Sequence, residues 1–382
     1  MTRVFVGMSG GVDSSVTAAL LVEQGYDVTG VYMKNWSQDL PGMKCPWAED
    51  LADAKRVAVG LGIDFRVFDF EKEYREKVVQ YMIDEYSAGR TPNPDIMCNQ
   101  EVKFKLFLEA SLSQGADMIA TGHYARVGAK AVSPPSSPDT ASHREFLEYS
   151  SGNSRAADVS GDDVAKCPVQ LYRAKDESKD QTYFLYRVTG EALAKTLFPL
   201  GDYLKSEVRQ IAIDRKLWTA SKKESMGVCF VGQVGMREFL SQYVETKPGD
   251  IIDRDSGTVI GRHDGAIFYT LGQRHGLELG GGLPYYVVDK DMEQNTVYVS
   301  RNLNANEIWH SEIELGNIHW IDGAPADNQE IDVRIRHRAP LVPAMLRGSK
   351  LLLSEAQRAV TPGQSAVLYS GDVCLGGGIV LS

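Results

Sequence analysis

The chain has 382 residues, a formal net charge of −10, and 43% hydrophobic and 24% charged residues. That length supports two or three domains with cores of their own, and the acidic balance argues against a protein that coats nucleic acid through charge alone. No apolar run is long enough to span a membrane, and five cysteines without a C-x-x-C pair indicate neither a disulfide framework nor a zinc knuckle, which fits a reducing cytoplasm.

In chain order, Met1-Thr2-Arg3 leads directly into a first strand, 4–8, with no room for a signal peptide. Further strands are expected at 28–33, 65–68 and 118–121, separated by helices at 14–24, 47–61, 71–87 and 102–113. This βαβα order predicts an α/β fold with a doubly wound parallel sheet and ligands beyond its C-terminal strand ends. Residues 128–170 interrupt the pattern with prolines and serines and read as a disordered surface insertion. The α/β signal resumes at 181–188 and runs through a helix near 204–215. After about Pro248, short strands and glycine-rich turns dominate, and from Asn304 onward the pattern is that of a small β-barrel or sandwich. The expected domains are therefore 1–240 (catalytic), 241–302 (a small central domain) and 303–382 (a β-barrel-like domain).

The chemistry begins at Ser9-Gly10-Gly11-Val12-Asp13-Ser14-Ser15, between the first strand and the first helix. Two glycines let the backbone turn tightly, and the helix N-terminus behind them favours an anion such as a phosphate. The loop lacks the Lys-Ser/Thr of a Walker A motif and is not G-x-G-x-x-G. Cys98 lies in Thr91-Pro92-Asn93-Pro94-Asp95-Ile96-Met97-Cys98-Asn99. If Asn99 caps the helix that follows, Cys98 stands at a helix N-terminus, where the dipole lowers a thiol pKa. Cys229 lies in the glycine-flanked Met226-Gly227-Val228-Cys229-Phe230-Val231-Gly232. For Cys167 and Cys374, and less firmly for Cys45, the expectation is a small buried hydrophobe. Two basic clusters, Lys205 to Lys223 and Arg334 to Arg358, read individually as solvated faces, the Arg334–Arg338 run alternating with strand period.

The hexapeptide Ser9–Ser14 resembles the SGGxDS loop of the ATP pyrophosphatase (PP-loop) superfamily. Together with Met33-Lys34-Asn35-Trp36, residues 89–104 (GRTPNPDIMCNQEVKF), 120–124 (ATGHY), 179–185 (KDQTYFL), 226–232 (MGVCFVG), 269–274 (YTLGQR) and 363–378, it resembles the tRNA-uridine 2-sulfurtransferases, or 2-thiouridylases. The likeness covers nearly the whole chain except 128–170. It implies ATP-dependent 2-thiolation of the wobble uridine (position 34) in a tRNA anticodon stem-loop: uracil O2 is adenylated, sulfur arrives as a persulfide on Cys229, and Cys98 releases it, leaving a Cys98–Cys229 disulfide. Asp95 becomes a general acid/base, with an N-cap or Asx-turn role as its alternative.

The resemblance further implies that Gly7, Met8, Ser9, Gly10, Gly11, Val12, Asp13, Ser14, Met33 and Gly122 line ATP, with Mg²⁺ on Asp13. It implies that Asn93, Pro94 and Asp95 meet the target base, and that His123, Lys179, Asp180, Gln181, Arg336, His337 and Gln364 contact tRNA. A structural role for His123 is an equal alternative. The implied protein partner is a persulfide donor or relay. An iron–sulfur cluster on Asp95, Cys98 and Cys229 is the less favoured sulfur carrier, and the metal ligands stay open. Two other readings remain: another PP-loop enzyme, such as an amidotransferase-type ligase or a tRNA lysidine synthetase, and a non-catalytic RNA-binding protein with a relic ATP site.

Overall fold

A computed structural model describes residues 1–39, 45–129, 169–223, 235–280, 282–302 and 308–381. The N-terminal part is built on β1 (Arg3–Gly7), β2 (Asp27–Lys34), β3 (Asp64–Asp69) and β4 (Met118–Ala120). With β7 (Thr196–Leu197) they form a five-stranded sheet in the order β3-β2-β1-β4-β7, and every pairing is parallel. Central β1 is buried on both faces, as a strand covered by helices on both sides must be. Val4 and Val6 pack with Ala18 and Leu21 of α1 (Val12–Glu23) and Ala54, Val57 and Ala58 of α2 (Trp47–Leu61). Phe5, one residue out of phase, joins the core of the opposite face with Phe68, Val78 and Phe107.

That opposite face is covered by two composite helices. α3 spans 71–87 and is π-helical over Arg75–Val79. α4 spans 94–113, starting at Pro94, and is π-helical over Cys98–Leu106 before continuing as Phe107–Ser113. The chain thus winds outward from β1 to β3 on one side and returns on the other to place β4 beside β1. The strand order reverses between β1 and β4, the point beyond whose strand ends a doubly wound sheet forms its ligand crevice.

The expected insertion at 128–170 is bracketed by an ordered hairpin. β5 (Arg126–Ala129) pairs antiparallel with β6 (Val169–Tyr172), so 128–129 and 169–170 are strand residues; 130–168 lie outside the described residues. A four-stranded sheet then forms in the order β10-β11-β8-β9, from β8 (Gly249–Asp253), β9 (Val259–His263), β10 (Tyr286–Asp291) and β11 (Thr296–Ser300). The C-terminal part is a closed antiparallel barrel of β12 (Trp309–Trp320), β13 (Glu330–Arg334), β14 (Val342–Arg347), β15 (Lys350–Arg358), β16 (Ser365–Ser370) and β17 (Val373–Val380). Closure comes from β12, which pairs with both β15 and β17 and changes register between Gly316 and His319.

The barrel is fused to the α/β part. β17 pairs through Val373 and Cys374 with Tyr172 and Leu171 of β6, continuing the barrel sheet into the hairpin. Tyr183 donates its hydroxyl to Ser365 O at 2.9 Å, and the Tyr186 hydroxyl meets Ser365 Oγ at 3.1 Å. A Cβ on Gly377 would stand 3.1 Å from the Tyr186 ring and 2.4 Å from Ala366 O, so glycine in β17 is what allows this approach. Cys374 is buried in this seam, and burial pushes its thiol far above the ordinary range, as expected of an inert packing group. Among the described residues, no helix is long and apolar enough to cross a membrane.

Candidate active site

The phosphate loop leaves β1 at the crevice. Gly10 has φ +74°, a conformation costly for any other residue, and a Cβ there would lie 2.3 Å from Asp50 O at the start of α2. Gly11 is the N-cap of α1 in extended conformation. Ser15 N–H makes the first intrahelical bond, to Gly11 O at 3.3 Å, so the amides of 12–14 point out of the helix end. The side chains shape the loop from within: Ser14 Oγ accepts from Ser9 N–H (3.2 Å) and donates to Gly11 O (3.2 Å), and Ser15 Oγ donates to Gly11 O (2.8 Å). The other residues expected at ATP gather here. A Cβ on Gly122 would be 2.9 Å from Ser14 N, so glycine is what lets the chain pack against the loop there, and one on Gly7 would meet the movable end of Met33, 2.9 Å from its Cε.

Asp13 is held by residues distant in sequence. Lys205 Nζ donates to both its carboxylate oxygens, at 2.7 and 2.8 Å, and Tyr124 donates its hydroxyl to Asp13 Oδ1 at 2.9 Å. Lys205 also stands 5.6 Å from the Tyr124 ring centroid. Lys205 opens the helix Lys205–Asp214, where a positive charge opposes the helix dipole. Sequence reasoning grouped it with a solvated basic cluster. A lysine in that unfavourable helical position was the available sign that it answers a carboxylate elsewhere.

The second half of the site begins at residue 89. Asn93, not Asn99, caps the helix: its side chain accepts from Asp95 N–H (3.1 Å) and Ile96 N–H (3.4 Å), with Pro94 at the first helical position. This corrects the expected start of α4. Cys98 sits one turn inside the helix, 4% exposed, where the dipole has weakened, rather than at its end. Asn99 instead donates Nδ2–H to Phe184 O at 3.0 Å. Asp95 lies at the second helical position, and burial raises its carboxyl above the ordinary range, opposed by Lys103.

The turn before this helix is stitched to the other two domains. Thr91 N–H donates to Pro362 O at 2.9 Å, and the Thr91 and Thr270 hydroxyls share a bond of 3.3 Å. A Cβ on Gly363 would lie 2.8 Å from Thr91 N. On the barrel side, Arg336 donates to Gln364 Oε1 (3.3 Å) and to Ala359 O, and the His337 ring lies 4.4 Å from that of Phe184. Burial, with Arg338 and Arg334 nearby, lowers His337 to about 4, so it is a neutral ring at physiological pH. The alternating basic run is therefore not one solvated face: Arg334 is buried, Arg336 half-buried and Arg338 exposed.

Two residues expected to touch tRNA face inward. His123 is 8% exposed, bonded through Nδ1 to Thr121 Oγ1 (2.8 Å) and flanked by Phe104 and Phe198; burial holds it neutral. Asp180 is 1% exposed and bonded internally. Lys179 is half-buried, and Gln181 binds the Tyr124 backbone. Cys229 and Cys167 lie outside the described residues.

α4 links the two halves. Its first turn carries Asp95 with Cys98 directly after it, Phe104 packs beside His123 (ring centroids 5.6 Å apart), and Phe107 lies 3.6 Å from where a Gly7 Cβ would be.

Three family models match in succession: the tRNA methyl transferase HUP domain over residues 2–233, the tRNA methyl transferase PRC-barrel domain over 237–301 and the aminomethyltransferase beta-barrel domain over 310–380. The tRNA-specific 2-thiouridylase MnmA of Bacillus subtilis (strain 168) is 45% identical over 387 residues, spanning 99% of this chain and 95% of that protein. The chain belongs to the tRNA-specific 2-thiouridylase family. The 2-thiouridylases of Janthinobacterium sp. (strain Marseille) and Halalkalibacterium halodurans are each 44% identical, over 392 and 386 residues, and each match takes in 99% of this chain. Membership makes the protein a sulfur-group transferase of the tRNA-modifying class, and it is consistent with a nucleotide site at the phosphate loop. The contacts that sequence reasoning did not anticipate are those of Lys205 and Tyr124 at the loop, and of Thr91 and Phe184 at the turn.

Proposed function

We propose that the protein activates O2 of the wobble uridine of a tRNA with ATP and replaces that oxygen with sulfur, in the cytoplasm. The observation that carries this reading is a two-part site joined by one helix. An anion-binding loop opens at the switch point of a parallel sheet, and a proline-stiffened turn with a half-buried acid and a buried thiol stands at the far end of α4.

In this reading, uracil O2 attacks the α-phosphorus of ATP and pyrophosphate leaves into the cradle of residues 9–15, whose amides and hydroxyls meet its charge. Lys205 neutralises Asp13 in the absence of nucleotide and turns to the phosphates when they arrive. Mg²⁺ accompanying ATP supplies charge neutralisation on the phosphates. Such an ion needs one or two protein carboxylates besides phosphate oxygens, and Asp13 at the loop fits that requirement. Among the described residues there is no group of three or more metal-ligating side chains.

Sulfur then arrives on Cys229 as a persulfide from a donor protein. The Cys98 thiolate attacks the sulfur bonded to Cys229, the terminal sulfur leaves as hydrosulfide, and a Cys98–Cys229 disulfide forms. Hydrosulfide adds to C2 of the activated uracil and AMP departs with the former O2. Two electrons from an external thiol restore both cysteines. Asp95, made a weaker acid by burial, is suited to move a proton at the uracil edge. The target base has to be unstacked to reach this turn, which an anticodon loop allows.

The test incubates iron-free protein with ATP, Mg²⁺, a persulfide donor and unmodified tRNA carrying a wobble uridine. Retarded migration of the tRNA in a mercury-containing gel, with release of pyrophosphate, is the expected result. Pyrophosphate release without retardation removes the sulfur step, and retardation without ATP removes the adenylation step.

A further inference from the structure

Asp180 is engaged by protein groups on every side. It accepts from Arg334 Nη1 (3.0 Å), from Thr182 Oγ1 (2.9 and 3.0 Å), from Ala174 N–H (3.2 Å) and from Thr182 N–H (3.4 Å). Arg173 Nε stands 4.0 Å away. The Arg334 and Asp180 side chains are 8% and 0% exposed. Arg334 belongs to barrel strand β13, whereas Asp180 belongs to the α/β domain, so this is a buried ion pair across a domain boundary. The Arg334 guanidinium is further fixed over the Tyr369 ring, 5.5 Å from its centroid, and the Tyr369 hydroxyl meets Thr182 Oγ1 at 3.2 Å.

The connection continues to the nucleotide loop. Gln181, next to Asp180, grips the Tyr124 backbone twice: its N–H donates to Tyr124 O at 2.9 Å, and its Oε1 accepts from Tyr124 N–H at 2.9 Å. Tyr124 in turn donates its hydroxyl to Asp13 at 2.9 Å. Hydrogen bonds and one peptide link thus run from the barrel to the Asp13 side chain in the phosphate loop.

We propose that Arg334 is a positioning residue for the nucleotide site: by anchoring Asp180 it fixes Gln181 and Tyr124, and so sets where the Asp13 carboxylate stands. The inference rests on the reading of the Ser9–Ser15 loop as an ATP cradle. Its content is mechanical. Without the Arg334 charge, the buried Asp180 carboxylate loses its main partner and shifts toward Arg173, Gln181 moves with it, and Asp13 is left to Lys205 alone. A purely structural ion pair would instead lower stability and leave nucleotide affinity unchanged in the folded protein.

The experiment titrates the full-length protein with α,β-methylene-ATP and Mg²⁺, without tRNA, by calorimetry, well below the melting temperature of each variant. Arg334→Met and Tyr124→Phe are each expected to weaken binding by about five- to tenfold. The double variant is expected to be no weaker than the poorer single one, because both changes interrupt the same line of contacts. Arg334→Lys keeps the charge with a poorer fit and falls between; it also carries the test if the methionine variant does not fold. Unchanged affinity in a folded Arg334 variant, or effects that multiply in the double variant, overturns the proposal. Absence of binding by the wild-type protein overturns the cradle reading itself, and this inference with it.

Discussion

The phosphate cradle and the turn at 89–99 are two ways of building half an active site. The cradle backbone is made by consecutive residues: Gly10 at positive φ, Gly11 as N-cap, and Ser14 and Ser15 bonded back to Gly11 O. The turn is made by three domains at once, Thr91 reaching both Thr270 and Pro362, with Gly363 packed against it. The cradle backbone is thus a local device tied to distant parts of the chain through the Asp13 side chain, whereas the composite turn registers any shift in how the domains meet.

The sharpest way to separate the halves is through the cysteines. Cys98→Ser and Cys229→Ser should each lower thiolation by at least about a thousandfold while tRNA-dependent pyrophosphate release from ATP persists. A mercury-gel assay run beside a pyrophosphate assay reads both, and a serine variant with near-normal thiolation removes that cysteine from the mechanism. Gly10→Ala attacks the other half. It forces a Cβ against Asp50 O and strains the backbone, and nucleotide affinity should fall about a hundredfold, the cost of a displacement on the order of 1 Å. If Gly10→Ala binds ATP normally, the cradle is not where ATP sits.

Asp95→Asn should lower thiolation by about a hundredfold and stabilise the fold at pH 7. Burial holds the folded carboxyl above its ordinary value of 3.8, so the folded state binds the proton more tightly than the unfolded chain does. Once pH exceeds the unfolded value, the ionised group subtracts from stability; below it the penalty is gone. Melting temperatures of wild type and variant should therefore diverge at pH 7 and converge near pH 3. A variant that is less stable at both would show that the carboxylate is needed for folding instead. The smallest effect is expected from Gly363→Ala, which presses on Thr91 from the barrel. Thiolation should fall about tenfold with ATP affinity unchanged, and a fall in both would show that the turn and the cradle are not separable.

The same contrast explains what could be read in advance. The order of strands and helices in the α/β part, the loop at 9–15 and the barrel-like end were legible because each rests on short-range pattern: β1 is an unbroken apolar run after Arg3, and α2 has helical spacing at 47–61. The start of α4 was misplaced because two residues of the same type competed for the cap, and Pro94 suits a first helical position better than the four residues after Asn99 do. The π-helical stretch over Cys98–Leu106 leaves no signature in a 3.6-residue period. Lys205, Tyr124 and Arg334 were invisible for a different reason. Their partners, Asp13 and Asp180, lie far away in sequence, and a buried arginine reads like a solvated one until its carboxylate is located.

The pairing of β17 with β6 bears on how the polypeptide is made. During synthesis, the β5–β6 hairpin emerges long before Val373 and Cys374, and until they arrive β6 presents an unfilled row of backbone donors and acceptors. A chain halted before β17 is therefore adhesive as well as unfinished, because that edge of β6 stays open to pairing with another chain.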